Sequence, residues 1–440
     1  SVLATLPLTP NGKVDRAALP RPEGLRPESG ERFQPPSTPI ERLVCGIWGE
    51  VLGIDRVGLG DDFFALGGHS LLATQVVSRM RRSLGVEIPL RTLFERPTVA
   101  ELVLEVEGAA RPQAPPVRRV GRAGELPLSA AQQRLWFLHQ LDPESAAYNV
   151  PAALALTGDL DVSALRRAFE EIVRRHEVLR TTFSAEGGRA RQVVHEPGPW
   201  PLEVVDLPAA GPEEVARRVA EEAARPFDLE RGPILRTALL ALAPREHVLL
   251  VTLHHVACDG WSLRILGREL AALYDAFRGG RTSPLPELPI QYADFADWQR
   301  EQLAGEVLER QLAYWTERLA GAVPLDLPAD RPRPPVARHL GATRRFHVPP
   351  ELVRAVESLS RDRGTTPFMT FAAALLALLH RFAGQDDVCL GTPIAGRTHA
   401  DLEPLVGFFV NTLVLRADLR GDPTFARLLD RVREDALGAY

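Results

Sequence analysis

Two segments rich in proline, glycine and charge divide the chain and limit what it can fold into. The first covers residues 20–39 (PRPEGLRPESGERFQPPSTP) and the second covers residues 108–125 (GAARPQAPPVRRVGRAGE). Such segments do not continue a helix or a buried strand, so they are typical of linkers. The sequence therefore predicts a short N-terminal stretch, a small folded unit between the linkers and a large unit after them.

The segment between the linkers has the periodicity of helices. Residues 37–53 (STPIERLVCGIWGEVLG) begin with Ser and Thr cap candidates and end in glycine. Residues 70–85 predict a second helix, capped by Ser70 and ended by Gly85, and residues 98–108 predict a third. Apolar residues of the first helix recur every three or four positions and form one stripe, namely Ile40, Leu43, Val44, Ile47, Trp48 and Val51. We expect a small all-helical unit.

The segment after the second linker alternates between strand and helix patterns. Residues 245–255 (REHVLLVTLHH) contain an apolar run rich in branched side chains, which indicates a buried strand. Residues 262–277 (SLRILGRELAALYDAF) follow with helical periodicity. This alternation predicts a layered α/β fold.

Composition excludes some classes of function. A net charge of −5 and the lack of a basic cluster with interleaved aromatic residues give no electrostatic case for nucleic acid. The sequence contains no uncharged apolar stretch of about 18 residues, so we expect no membrane span. The cysteines Cys45, Cys258 and Cys389 are widely spaced and odd in number, which favours reduced thiols in a cytoplasmic protein.

The stretch HHVACDGWS, residues 254–262, concentrates the chemistry. Side chains alternate along a strand, so His254 and His255 are expected to point to opposite sides. A histidine facing a cavity can move a proton near neutral pH. The two histidines and Asp259 could instead bind a metal, although we see no second cluster at ligand spacing and expect none. A satisfied core histidine, with Asp259 as a turn residue before Gly260, is the other interpretation.

A second motif, DDFFALGGHSLLA, covers residues 61–73. Ser70 could simply cap a helix. Two glycines and a histidine before it would also make an exposed turn that presents the hydroxyl to solvent. The full run closely resembles the peptidyl carrier domains of nonribosomal peptide synthetases. The resemblance implies a four-helix bundle with 4'-phosphopantetheine attached to Ser70 by a phosphopantetheinyl transferase.

The N-terminal run LPLTPNGKVDRAALP, residues 6–20, resembles the C-terminal end of amino-acid adenylation domains. The resemblance implies that Lys13 corresponds to the lysine that reaches the carboxylate and adenylate oxygens there. The nucleotide-binding portion of such a domain is missing, so Lys13 is expected to be inert in this chain. The PNG within this run is also a turn signal.

Five motifs in the large segment resemble those of nonribosomal peptide condensation domains. In chain order they are LPLSAAQQRLWFLHQLDPESAAYNVP (126–151), RRHEVLRTTF (174–183), HHVACDGWS (254–262), YADFADW (292–298) and VGFFVNTLVLR (406–416). The resemblance implies an α/β fold like chloramphenicol acetyltransferase, with two lobes and a tunnel between them. These motifs also resemble those of the subclass that joins an L-configured donor to an L-configured acceptor.

The resemblance assigns expected roles to the residues of the active-site motif. His255 is expected at the junction of the two tunnel mouths, as a general base or, mainly, as a group that positions the attacking amine. His254 is expected to support the local fold, and Gly260 to allow close approach to the tunnel. Asp259 is expected to be structural and to need an arginine partner, for which Arg134 and Arg397 are the candidates.

The resemblances also imply domain boundaries and partners. The expected units are 1–22 (end of an adenylation domain), 23–36 (linker), 37–108 (carrier domain), 109–124 (linker) and 125–440 (condensation domain), the last with a first lobe over about 125–300 and a second, C-terminally truncated lobe over about 301–440. The expected partners are an upstream adenylation domain and a downstream aminoacyl carrier domain as acceptor. Two alternatives remain: a non-catalytic docking module, and an acyltransferase that uses a soluble amine or hydroxyl acceptor.

Overall fold

The computed structural model describes most of the chain after the first linker. The described residues are 33–86, 88–109, 115–186, 189–208, 210–332 and 341–440. Lys13 and the expected unit 1–22 lie outside the described residues, so the interpretation of that segment stays a prediction.

Four helices form a small bundle between the two linkers. They are α1 (Pro39–Leu52), α2 (Ser70–Leu84), α3 (Leu90–Glu95) and α4 (Val99–Gly108). The bundle has its own core, in which the ring centroids of Trp48 and Phe63 lie 5.1 Å apart and both side chains are fully buried. The predicted all-helical unit is therefore present, with the short helix α3 added to the three that the periodicity indicated.

Local signals explain where these helices begin and end. Thr38 caps α1, Glu41 completes a capping box with it, and Gly53 ends the helix in the left-handed region at φ 68°. The expected cap of α2 at Ser70 is wrong. His69 has extended backbone angles and is the cap, because its Nδ1 accepts from the Leu72 N–H at 3.5 Å, so Ser70 is the first residue of the helix.

The region after the second linker begins with a first lobe that contains two sheets. Its elements are β1 (Leu126–Pro127), α5 (Ala130–Leu141), β2 (Asn149–Thr157), α6 (Val162–Arg175), β3 (Thr181–Glu186), β4 (Arg189–Val194), β5 (Glu203–Asp206), α7 (Pro212–Ala224), β6 (Leu235–Ala243), β7 (Glu246–His254), α8 (Gly260–Arg278) and α9 (Tyr292–Gln302). One sheet has the order β2-β7-β6-β5, with only the β5–β6 pair parallel, and the other has the order β1-β4-β3. β7, the strand predicted before the two histidines, therefore lies between two neighbours in the larger sheet.

A second lobe follows, with a two-stranded sheet and a hydrophobic core of its own. Its elements are α10 (Gly305–Arg318), α11 (Pro350–Asp362), α12 (Pro367–Ala383), β8 (Asp387–Ile394), β9 (Asn411–Asp418) and α13 (Phe425–Ala439). The core of the second lobe is built from α12, α13 and the paired strands β8 and β9. Residues 402–409, between these strands, leave this core and pack into the core of the first lobe. The two lobes are thus joined through one inserted segment.

The motif at residues 174–183 has a structural role. Arg175 and His176 at the end of α6 both bind Glu269 of α8, through contacts of 3.2 Å and 2.8 Å, and all three side chains are buried. A buried carboxylate needs such partners, because charge is costly to remove from water. This cluster holds α6 against the helix that follows the two histidines.

The second half of the expected linker 109–124 is bound to the first lobe. The Val120 N–H and the Arg122 guanidinium donate to Asp294 at 2.9 Å and 2.7 Å, and Trp298 Nε1–H donates to the Pro115 carbonyl at 2.7 Å. Val117 is buried in the core of the lobe. Buried polar and apolar contacts therefore fix residues 115–124 of the expected linker on the first lobe.

Within the described part of the chain, no single helix is long and apolar enough to cross a bilayer. α11 and α12 pass the same test of length and composition only as a pair, and they meet at an angle of 103°. All three cysteines have free thiols.

Candidate active site

The candidate site lies where β7 ends. The strand stops at His254, a 3-10 turn covers His255–Ala257, and α8 begins at Gly260. The His255 N–H donates to the Tyr148 carbonyl at 2.8 Å, which continues the pairing of β7 with β2 by one residue. The histidine pair is therefore held at the end of an inner strand and shortly before a long helix.

His254 is a buried structural group. Its Nδ1 accepts from the Val256 N–H at 3.1 Å, which fixes the turn. The rings of Tyr148, Phe227 and His139 surround it, and it is 3% exposed. Burial, followed by the charges of neighbouring histidines and Arg236, lowers the pKa of His254 to about 3. The side chain is therefore neutral near neutral pH.

His255 faces a different environment and is half-buried. Its ring lies 4.7 Å from the ring of Phe408, at an interplanar angle of 64°. Its Nδ1 is buried and has no hydrogen-bond partner among the described residues. A buried polar atom without a partner in the protein is costly unless a water molecule or a ligand satisfies it. The structure therefore separates the two histidines, one bound into the fold and one left with an unused nitrogen.

Asp259 caps α8 and also binds the second lobe. Its Oδ1 accepts from the N–H and the hydroxyl of Ser262, both at 2.8 Å, and from Arg397 Nη2 at 3.3 Å. Its Oδ2 accepts from the Phe409 N–H at 3.2 Å. The carboxylate is 1% exposed. Asp259 is thus both the turn residue and the buried carboxylate that the sequence left as alternatives.

Arg397 is the partner of Asp259, and Arg134 is not. Arg397 is 2% exposed and donates to the carbonyl oxygens of Leu402 and Leu405 as well. Burial lowers its pKa, and the charge of Asp259 opposes that effect. Arg134 is exposed on α5, with its guanidinium carbon 5.9 Å from the centroid of the Phe408 ring.

Residues 407–409 are fixed from the first lobe by backbone hydrogen bonds. The Ser262 hydroxyl oxygen accepts from the Gly407 N–H at 3.1 Å and lies 2.9 Å from the Gly407 carbonyl oxygen, which shares the one hydroxyl proton with Asp259. Tyr292 Oη–H donates to the Phe408 carbonyl at 2.6 Å, and burial raises the pKa of Tyr292, so it stays a donor. These bonds hold the Phe408 ring against His255.

Sequence reasoning did not find Phe408 as a site residue. It did single out the motifs at 292–298 and 406–416, which supply Tyr292 and residues 407–409, but it gave them no role. The signal available in the sequence was the presence of the motifs at 292–298 and 406–416. Only the fold shows that these two motifs meet at His255.

The expected role of Gly260 finds no support within the chain. A Cβ added at Gly260 would meet no atom within 4 Å, and its φ is not in the left-handed region. Gly407 is the glycine that the site requires, because an added Cβ would overlap the ring of Tyr292. Gly396 is similarly restricted, since it combines φ of 63° with close approach to the Phe409 carbonyl.

Ser70 lies at the first residue of α2, in the bundle. The preceding turn is tight, because a Cβ at Gly68 would overlap the ring of Phe63, and Gly67 has φ of 93°. Gly67 and His69 are exposed. The N–H groups and the positive end of the helix dipole suit a phosphate at this position. The local structure therefore fits a phosphopantetheine, which when bound supplies a thiol on a flexible arm.

Among the residues that the structure describes, no group of three or more His, Cys, Asp or Glu side chains is arranged to hold a metal ion. His254, His255 and Asp259 do not converge, because each binds or faces a different neighbour.

Comparison with known families adds to this geometry. The family model of the condensation domain matches residues 122–440. The chain belongs to this family. A second model, the phosphopantetheine attachment site, matches residues 42–106, which include Ser70. The chain is thus a carrier and condensation segment of a nonribosomal peptide synthetase, and the expected fold class, a helical bundle plus a chloramphenicol-acetyltransferase-like α/β domain, is confirmed.

Individual relatives agree with this assignment. One of the linear gramicidin synthase proteins of Brevibacillus parabrevis is 50% identical over 446 residues, which cover 99% of this chain and 6% of the relative. The complex of the X-domain and OxyB from teicoplanin biosynthesis matches with a TM-score of 0.69 and 34% identity, covering 74% of this chain and 72% of that chain. The first condensation domain of the CDA synthetase matches with a TM-score of 0.61 and 26% identity, covering 72% and 76%. This chain therefore spans a small part of the curated relative's length.

We expect Arg397→Met to destabilise the condensation domain by roughly 3–5 kcal/mol, because it leaves the carboxylate of Asp259 buried without a counter-charge. Adding Asp259→Asn should recover part of this loss, since asparagine keeps the helix cap and removes the charge. Urea unfolding followed by tryptophan fluorescence compares the three proteins. A double variant no more stable than Arg397→Met would show that the two charges do not balance each other.

We expect Gly407→Ala to lower the stability of the condensation domain by at least about 1–3 kcal/mol, because the added methyl overlaps the ring of Tyr292. Gly260→Ala is the matched control, since its methyl meets no atom within 4 Å and alanine favours helix. Thermal unfolding measures both changes. Equal effects of the two substitutions would contradict the steric argument.

We expect His254 to make folding sensitive to acid. Its pKa in the folded state is about 3, below the ordinary value of 6.5, so the unfolded chain binds the extra proton as the pH falls between these values. Stability is therefore lost as the pH falls, with a slope of up to about 1.4 kcal/mol per pH unit from this group. Urea unfolding at several pH values should give a shallower slope for His254→Gln, and an unchanged slope would contradict the assignment.

Proposed function

We propose that this segment forms a peptide bond between two carrier-bound substrates. The carrier domain holds an aminoacyl or peptidyl thioester as donor, and a downstream carrier domain supplies the α-amino group of an aminoacyl acceptor. The observation that carries the proposal is His255, whose unpartnered Nδ1 and restrained ring lie where the two lobes join. The family and both matched domains support it.

In the proposed reaction, the acceptor nitrogen bonds to the donor carbonyl carbon and the carbon–sulfur bond breaks. The departing sulfur leaves as a thiol, and the nitrogen loses one proton, so atoms and charge balance. An amine and a thioester need little activation, so holding them in place supplies much of the rate. We assign His255 mainly to positioning the amine, with proton acceptance as its second role.

The other residues of the motif act through His255 and the lobes. Asp259 and Arg397 hold the turn and residues 407–409 together, and Phe408 restrains the imidazole ring. Burial of His254 keeps it neutral and bonded to the turn. These are positioning residues, since none of them has a free group directed at the same place as His255.

Ser70 is the proposed attachment site of 4'-phosphopantetheine, placed there by a phosphopantetheinyl transferase. The carrier domain precedes the condensation domain, so it would present the donor in cis. A tether of this kind raises the effective concentration of the donor to about the millimolar range. An upstream adenylation domain would load the carrier, and residues 1–22 are its proposed C-terminal end.

Two finer assignments complete the proposal. The motifs at 126–151 and 174–183 favour the subclass that joins an L-configured donor to an L-configured acceptor. The free thiols of Cys45, Cys258 and Cys389 favour the reducing cytoplasm as the site of action.

A non-catalytic docking module is the second candidate function. Its support is the similarity to the X-domain, which that structure contains in complex with OxyB. A docking role by itself does not require the pair of histidines or an unpartnered imidazole nitrogen, so the geometry at His255 favours the catalytic proposal.

We expect His255→Ala to lower the rate of dipeptide formation roughly 100-fold or more. The chain is loaded at Ser70 with an aminoacyl phosphopantetheine and mixed with an aminoacyl acceptor carrier domain, and mass spectrometry follows the dipeptidyl product. His247→Ala is the matched control, because it makes the same change near the start of β7, at the opposite end of the strand from the turn with His255.

The control should keep the wild-type rate, and circular dichroism should show that both variants are folded. Full activity of His255→Ala would show that His255 takes no part in the reaction. No product from the wild type with any acceptor would favour the docking module, whereas product with a soluble amine or alcohol alone would indicate an acyltransferase of another kind.

A further inference from the structure

The linker between the two domains contributes a guanidinium group to the first lobe. Arg122 Nη1 and Nη2 donate to the two carboxylate oxygens of Asp294 at 2.7 Å and 3.2 Å, and Arg122 Nε donates to Glu177 at 2.6 Å. The Asp294 side chain is fully buried, and those of Glu177 and Arg122 are 9% and 22% exposed. A planar guanidinium that bonds two carboxylates at once has a geometry that lysine does not reproduce. Arg122 therefore binds the linker to the lobe at a defined point.

The buried carboxylate of Asp294 takes most of its partners from the linker. Its Oδ1 accepts from the Val120 N–H at 2.9 Å as well as from Arg122, and its Oδ2 accepts from the Gln291 N–H at 2.7 Å. Arg122 supplies the positive charge that pairs with this carboxylate. A carboxylate removed from water without a counter-charge is costly, so Asp294 in this place requires Arg122.

Asp294 in turn holds the start of α9. Its bond to the Gln291 N–H closes the first turn of this helix. The Gln291 side chain binds the end of α6, since it donates to the Arg175 carbonyl at 2.8 Å and accepts from the Glu177 N–H at 3.1 Å. The linker is therefore bonded to the same turn of α9 that begins with Tyr292.

Tyr292 joins this turn of α9 to the site of the reaction. Its hydroxyl lies 2.6 Å from the Phe408 carbonyl oxygen and 2.8 Å from the Ser129 hydroxyl oxygen. Because a carbonyl oxygen can only accept, the tyrosine proton goes to Phe408, and Ser129 donates to Tyr292. The Phe408 ring lies 4.7 Å from the ring of His255. The helix start that Arg122 supports thus fixes the ring that restrains His255.

We propose that Arg122 of the linker is a positioning residue for peptide-bond formation, because the helix start that it supports fixes Phe408 and, through Phe408, the imidazole of His255. The inference rests on the proposed function, since it extends the machinery around His255 into the linker. Arg122 acts through Asp294 and Tyr292, and it has no contact with the reacting groups.

Delivery of the donor is a separate effect of the same linker. The carrier domain also contacts the second lobe directly, with Arg79 Nη2 3.2 Å from a carboxylate oxygen of Glu403 and Arg82 Nη1 3.7 Å from one of Asp401. A change in the linker can therefore act on the position of the carrier or on the site. A donor that is not attached to the carrier separates these two effects, because it needs no tether.

We expect Arg122→Met to lower kcat roughly 10- to 100-fold at an unchanged KM for the acceptor carrier domain, because a misplaced His255 affects the reacting groups and not the binding of the carrier. The loss should be the same for a donor loaded on Ser70 and for a free aminoacyl N-acetylcysteamine thioester. Adding Asp294→Asn should restore part of the rate, since asparagine removes the unpaired charge and keeps an acceptor for the Val120 N–H. Mass spectrometry follows the product from both donors.

Arg119→Met is the matched control, because Arg119 lies in the same linker but is 62% exposed and lies 3.7 Å from Glu177. It should keep the wild-type rate. Hydrogen–deuterium exchange at residues 407–409 should rise in Arg122→Met and stay unchanged in Arg119→Met. Arg122→Lys keeps the charge but lacks the planar group, so it should give smaller changes in the same direction, and it carries the test if Arg122→Met does not fold.

Three results would overturn the proposal. They are full activity of Arg122→Met with both donors, a loss confined to the donor on Ser70, which would assign Arg122 to the tether, and an equal loss in Arg119→Met. If the wild type makes no product from either donor, the proposed function fails. Exchange at residues 407–409 then decides whether Arg122 fixes Phe408, and unchanged exchange in Arg122→Met would show that it does not.

Discussion

The buried ion pair between Asp259 and Arg397 is the contact on which the arrangement of the site depends. Each charge is almost inaccessible to water, so each requires the other and further hydrogen bonds. Asp259 uses its remaining lone pairs to cap α8 and to hold Phe409, while Arg397 donates to the carbonyl oxygens of Leu402 and Leu405. A single pair thereby fixes the turn with the histidines, the inserted segment of the second lobe and the surface that meets the carrier.

The two domains use electrostatics in different ways. Inside the condensation domain, the Asp259–Arg397 pair is buried, and the carboxylate accepts further hydrogen bonds from Ser262 and Phe409. At the contact with the carrier, the pairs are partly exposed and lie beside a cavity, so each contributes little. The pair beside His255 is thus shielded from water, whereas the pairs at the carrier contact are partly solvated.

Local signals predicted several of the elements and one of the buried contacts. Thr38 and Gly53 bound the first helix, the apolar run before His254 is a strand, and Asp259 has an arginine partner, all as expected. The cap at Ser70 was predicted wrongly, because a serine after glycines reads as a cap from composition alone. The histidine before it has the extended backbone that a cap requires. The bound half of the second linker was also missed, because its partner Asp294 lies far away in sequence.

By itself, the sequence determined the division into a helical carrier domain and an α/β condensation domain, and it singled out Ser70 and the two histidines as candidates. These follow from periodicity, from turn residues and from motifs, which are local. The tertiary structure decided which arginine balances Asp259, which glycine is required and which ring restrains His255. Each of these depends on residues that are distant in sequence and adjacent only in the fold. Charge balance and steric exclusion depend on distances in space, and the order of residues along the chain does not show which side chains are close together.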